Sequence, residues 1–98
     1  MYIKIHSSYR NVVSICDAEL VGKIFEEGKR QLDVRENFYK DKKVSKEEAI
    51  KILRVQSAKD STFNIVGKKA IETAVEAGII NKDSVCTVQD IPFTLVLI

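Results

Sequence analysis

The chain opens on an alternation. In residues 2–6, Ile3 and Ile5 fall on one side and Tyr2, Lys4 and His6 on the other, the period of a half-buried strand. Residues 12–16 form a second apolar run after the polar connection Ser7-Ser8-Tyr9-Arg10-Asn11, so the pair predicts a β-hairpin. Core matching selects the register: Ile5 opposite Val13 and Ile3 opposite Ile15 puts all four on one face. Asp17 then reads as the N-cap of one or two helical turns over residues 18–21, limited by Gly22. Residues 23–28 show no clear period. Residues 29–34 alternate around Leu32 and Val34 and predict a strand. Glu36-Asn37-Phe38-Tyr39 predicts a short helical turn that drops two aromatics onto the core.

The clearest helix start is Ser45-Lys46-Glu47-Glu48. In this capping box Ser45 accepts from the N–H of Glu48, and Glu48 reaches back. The helix runs to about Gln56, with Ala49, Ile50, Ile52, Leu53 and Val55 as its apolar side. Glu47 stands four residues before Lys51, the favourable order for an exposed ion pair. Thr62-Phe63-Asn64-Ile65-Val66 reads as extended, and Gly67 then leads into a helix over residues 68–77. Ala70, Ile71, Ala74 and Val75 make its inward stripe. Gly78 is placed to close it as a left-handed cap, with Ile79 or Ile80 as the hydrophobic contact beyond. Residues 85–89 and 93–98 predict strands around Asp90-Ile91-Pro92. The last is nearly all apolar, as a central strand or a subunit interface would be. The fold class is therefore α+β: a mixed or mostly antiparallel sheet with two principal helices on one face.

A length of 98 residues fits a single domain with one core and no staples. Two cysteines, each within an apolar run, are too few for a disulfide-built secreted domain and read as reduced core residues. No apolar run approaches a membrane span and residues 1–5 do not fit a signal peptide, so the expected location is cytoplasmic, with no membrane partner. A net charge of +2 is too weak to argue for nucleic acid. Its distribution says more. Residues 1–60 carry 13 Lys/Arg against 10 Asp/Glu, and the stretch Lys40-Asp41-Lys42-Lys43-Val44-Ser45-Lys46 holds four lysines and one acid. That stretch reads either as a solvated loop or as the rim of an anion site.

Catalytic chemistry finds little support. Cys16 and His6 share a face in the hairpin register but lie four rungs apart, about 13 Å, far beyond the reach a nucleophile and its base need. One histidine and two scattered cysteines offer no zinc spacing, and the acids show no calcium-loop pattern. Glu47 and Glu48 are explained by capping, while Glu26/Glu27 are adjacent acids before a turn glycine. The expectation is no enzyme, no metal and no cofactor.

The Gly67 helix start is the best site candidate. A helix N-terminus presents free N–H groups and a positive dipole end, and it normally attracts acids. Here Lys68 and Lys69 stand there instead, which suits a bound phosphate approaching over Gly67, with Asn64 as cap or ligand contact. The competing reading is that Gly67 only permits tight packing and the lysines pair with Glu72 and Glu76. Lys42, Lys43, Arg10 and a stacking Tyr9 extend the candidate into an RNA surface, together with Tyr2, Lys4 and His6 on an open strand face. The alternative has that face packed under a helix.

Residues 16–28, Asn37-Phe38-Tyr39, and Asn64-Ile65-Val66-Gly67 running into the Ala/Ile helix and Gly78 resemble, in order and spacing over the whole chain, a small archaeal family catalogued as domain of unknown function 424. After Pro92 this chain has Phe93-Thr94-Leu95, where the family tends to carry a polar His/Gln stretch. The resemblance implies a cytoplasmic archaeal α+β protein of no established activity, described as predicted RNA-binding and linked to translation. The resulting expectation is an RNA-binding or ribosome-associated module, with RNA or a ribosomal particle as partner. The alternative is a protein–protein adaptor or a homodimer through the apolar C-terminal strand, and an enzyme acting on a phosphate-bearing ligand is the third reading.

Overall fold

The computed structural model describes residues 1–97; Ile98, the end of the last expected strand, lies outside the described residues. A six-stranded sheet organises the chain. Its strands are β1 (Tyr2–His6), β2 (Val12–Cys16), β5 (Lys42–Lys43), β6 (Thr62–Val66), β7 (Cys86–Val88) and β8 (Ile91–Val96), in the order β5-β1-β2-β6-β8-β7. The remaining strands, β3 (Ile24–Glu27) and β4 (Arg30–Asp33), form a separate hairpin. The helices are α1 (Glu36–Tyr39), α2 (Lys46–Ala58) and α3 (Lys68–Glu76). The β2–β6 pair is parallel and every other pair antiparallel.

The expected hairpin register holds: Ile5 opposes Val13 and Ile3 opposes Ile15. These four share a face with Phe63, Ile65 and Val96, because side chains alternate along each strand. On that first face, α2, α3 and the Ala77 that caps α3 supply Ala49, Leu53, Ala70, Ile71, Ala74 and Ala77 to one core cluster with Ile3, Val13, Ile15, Phe63 and Ile65. The small residues of α3 let it lie close to the sheet. The Ser45 cap forms, with the Glu48 N–H donating to Ser45 Oγ at 3.2 Å. Gly78, at φ +78°, closes α3 in a Schellman arrangement: its N–H donates to Val75 O and that of Ile79 to Ala74 O.

Several local expectations are corrected. Val55 is 54% exposed, and Gln56 takes the buried place beside Leu53 instead. Lys51 forms no ion pair among the described residues; the pairs in this region are Lys46–Glu76 and Lys42–Glu48. The turn after β7 is the dipeptide Gln89-Asp90, both at positive φ, so Ile91 and Pro92 belong to β8. Cys86 is exposed rather than a core residue, while Cys16 is fully buried.

The second face is covered over one half only. There α1 and the β3–β4 hairpin pack Leu32, Val34 and Tyr39 on Cys16, Val66 and Val88. The other half carries Val12, Thr62, Asn64, Leu95 and Leu97, and among the described residues no helix or hairpin packs over it.

Candidate functional site

The N-terminus of α3 holds an anion from the chain itself. The Asp17 carboxylate accepts from the Ala70 N–H at 2.8 Å and from the Lys69 N–H at 3.1 Å. Asp17 is 4% exposed and lies at the end of β2, where its own N–H donates to Val66 O across the sheet. This corrects the expected local cap: residues Ala18–Leu20 form a 3₁₀ turn, and Asp17 gives it no side-chain hydrogen bond. It also corrects the phosphate site. The dipole end that lacked an acid in its own first turn has one delivered from 52 residues away in sequence.

Gly67 follows from the same contact. Its φ of +106° and ψ of 156° lie where side-chain-bearing residues hardly go, and a Cβ there would stand 2.6 and 2.7 Å from the two Asp17 oxygens. The close approach over Gly67 is therefore real, but the approaching group is Asp17. Asn64 neither caps α3 nor faces this point. It sits mid-strand on β6, between Ser14 of β2 and Leu95 of β8 on the uncovered face.

The basic candidates divide between two ends of the sheet. Lys42 and Lys43 pair with Ile3 and Tyr2, at the end where β2 and β6 finish and α3 begins, so Lys68 and Lys69 share that end. Lys42 is engaged with Glu48, whereas Lys43, Lys68 and Lys69 form no ion pair among the described residues. The lysines at the start of α3 thus do not pair with Glu72 or Glu76. Tyr9 and Arg10 occupy the tip of the β1–β2 hairpin, at the opposite end, with Tyr9 fully exposed. One continuous tract joining all of these residues does not exist on this fold.

The strand face expected to stack bases is occupied. Phe38 of α1 stacks on His6 with ring centroids 4.4 Å apart. The His6 ring donates from Nε2 to Phe38 O at 2.9 Å, and Ser14 Oγ donates to the same carbonyl at 2.8 Å. Lys4 Nζ donates to Asn37 O, and Lys40 Nζ lies 6.0 Å from the Tyr2 ring centre. Thus α1 covers Lys4 and His6, and Lys40 just beyond it stands near Tyr2.

Burial silences the two most suggestive titratable groups. The Cys16 thiol is pushed from 9.0 up to about 12, first by desolvation and then by the Asp17 charge beside it. The Tyr39 hydroxyl is pushed from 10.0 to about 12, again chiefly by desolvation. Such a thiol is not a nucleophile near neutrality. Both groups are protonated when folded and ionise more readily when unfolded. Their contribution to stability is complete below about pH 9 and is lost progressively up to about pH 12. We expect the urea midpoint to fall from about pH 9 upward, and Cys16→Ala to flatten the lower part of that fall; an unchanged slope in the variant would contradict the assignment.

No group of three metal-ligating side chains converges among the described residues. The larger surface depression, about 680 Å³, lies past the end of α3 between Val75, Gly78, Ile79, Ile80, Asn81 and Lys82, with a single charged side chain. What remains distinctive is the uncovered half-face: Leu95 and Leu97 are 58% and 75% exposed beside half-buried Val12, Thr62 and Asn64. The apolar character of residues 93–98 signalled this stripe. Which side of the strand would stay open was not readable, because α1 and the β3–β4 hairpin decide it.

A small α+β domain with a sheet covered over half of its second face is the class these features define. The model of the family described as a protein of unknown function (DUF424) matches residues 5–98, and the chain belongs to that family. A solved structure described as that of an uncharacterized conserved protein from Methanopyrus kandleri is 27% identical, with a TM-score of 0.84 over 97% of this chain and 88% of that one. None of the curated proteins matches.

Proposed function

We propose that the protein is a non-enzymatic binding module that docks a protein partner on the uncovered half of its sheet. The exposure of Leu95 and Leu97, on a half-face that no element covers among the described residues, carries this reading. Contiguous exposed aliphatic surface with a polar border marks interaction sites. Asn64 and Thr62 supply polar positions within the face, and Arg10, without an ion pair among the described residues, stands at the same end as Leu97. The partner this suits has an aliphatic contact face bordered by an acid.

RNA, or a ribosomal particle, is the second reading. It is supported by Lys43, Lys68 and Lys69, which share one end of the sheet and have no acidic partners among the described residues, and by the fully exposed Tyr9. A single experiment separates the two. The tagged wild type, Leu95→Lys, and Lys68→Glu with Lys69→Glu would be run on sucrose gradients in native lysate at low and high salt, with and without ribonuclease. Protein docking predicts a fast-sedimenting fraction that survives ribonuclease and is lost in Leu95→Lys. RNA binding predicts loss with ribonuclease, and a shallower salt dependence in the double lysine variant. Dimerisation through the stripe would show in light scattering of the purified protein and disappear in Leu95→Lys. A light, monomeric wild type under every condition would refute stable association of either kind.

A further inference from the structure

A second surface lies on the opposite side of the sheet, at the outer edge of β1. The Met1 carbonyl accepts from the Val44 N–H on the β5 side of β1. Backbone groups alternate in direction along a strand, so the N–H and C=O of Ile3 and Ile5 point to that same side. Strand β5 is two residues long and pairs only with Tyr2 and Ile3. The N–H and C=O of Ile5 are consequently an open strand edge, with no backbone partner among the described residues. Natural sheets normally blunt such an edge. The opposite edge of this sheet is blunted: Arg30 reaches Thr87 O, and the Gln89 N–H donates to the Glu27 carboxylate.

Directly beside the open edge is a groove of about 260 Å³ lined by Ile5, Lys51, Ile52, Val55 and Gln56. Its walls are aliphatic, and Ile5 and Val55 are 39% and 54% exposed. Its floor is fixed, because the Gln56 side-chain oxygen accepts from Ser61 Oγ at 2.8 Å and from Asn11 Nδ2 at 3.4 Å. One cation, Lys51, stands in its wall without an ion pair among the described residues.

We infer that this edge and groove together bind an extended peptide segment of a partner protein. The segment adds antiparallel or parallel to β1 at Ile5, seats an aliphatic side chain between Ile5, Ile52 and Val55, and places an acidic side chain by Lys51. Main-chain bonds to an exposed edge supply affinity in this mode of recognition, and pockets for alternate side chains supply specificity. The site is independent of the Leu95 surface, which lies on the other face of the sheet.

The probe is a phage-displayed octapeptide library selected on the intact protein, with enriched peptides synthesised and titrated by amide NMR. Enrichment of alternating aliphatic and acidic sequences is expected, with the largest amide shifts at Ile5 and along residues 51–56. Val55→Lys, at an exposed position that folding tolerates, should weaken binding at least 10-fold, and Lys51→Glu should turn the preference toward basic peptides. Melting curves of both variants would establish that they remain folded. The inference is overturned by no enrichment, by shifts centred on Leu95 instead, or by affinity unchanged in Val55→Lys.

Discussion

Alanine in place of Gly67 should destabilise the fold by about 4 kcal/mol. Two effects add. A non-glycine residue held in this backbone region costs about 1–3 kcal/mol. The new Cβ would also stand 2.6 and 2.7 Å from the Asp17 oxygens, which cannot coexist with it. Displacing that carboxylate takes away the hydrogen bonds to the Lys69 and Ala70 N–H groups, about 1.5–3 kcal/mol each because the acceptor is charged. Partial relaxation keeps the total near the lower end of the sum. For a domain of this size the melting temperature should fall by about 15–30 °C. A fall of less than about 5 °C would mean that neither the strain nor the collision is as described.

Asp17→Ala is expected to cost about 3 kcal/mol, the lower end for two hydrogen bonds to a charged acceptor, because it strips the helix of that acceptor and leaves the buried Ala70 N–H unpaired. The two substitutions should not be additive. Removing the carboxylate vacates the space that the methyl group introduced by Gly67→Ala would need, so the double variant should be more stable than the sum predicts by at least about 1 kcal/mol. Urea unfolding of the four proteins measures this coupling directly. Strict additivity would show that Gly67 is required for its backbone angles alone. Asp17→Asn keeps one oxygen acceptor and should fall between the wild type and Asp17→Ala.

The pair also marks where reading along the chain reaches its limit. Period and capping are local properties, and they placed the Ile3/Ile5–Val13/Ile15 register, the Ser45 cap, the Gly78 closure and the two helices on one face. The missing acid at the start of α3 was just as visible. Its replacement was not, because the group that answers it comes from β2, and only the parallel β2–β6 pairing brings Asp17 to Gly67. Asp17 itself looked like a cap for the residues that follow it, the commoner use of an aspartate before a turn. The apolar run of residues 93–98 announces the Leu95 stripe, but the other surfaces are hidden in the sequence for a related reason. Tyr2, Lys4 and His6 alternate as an open face should, but α1 returns over Lys4 and His6 through contacts made 33 and 32 residues apart. Ile5 and Val55 were assigned to the interior by their place in an apolar period. The two-residue length of β5, which a lysine-rich loop did not announce, leaves that margin of the sheet uncovered.

The same parallel pairing fixes a timetable for the polymer as it is made. The β1–β2 hairpin can close as soon as it is synthesised, but the strand that completes its neighbourhood, β6, ends at Val66. Until Val66 has been made, Val13, Ile15 and Cys16 have no complete β6 to lie against, and Asp17 has no helix end to meet. A chain stopped short of Val66 would therefore expose an apolar hairpin rather than a smaller folded unit. Contacts this distant in sequence form more slowly than local ones, and an apolar hairpin that waits for its partner strand is the kind of surface that aggregates if it meets another copy.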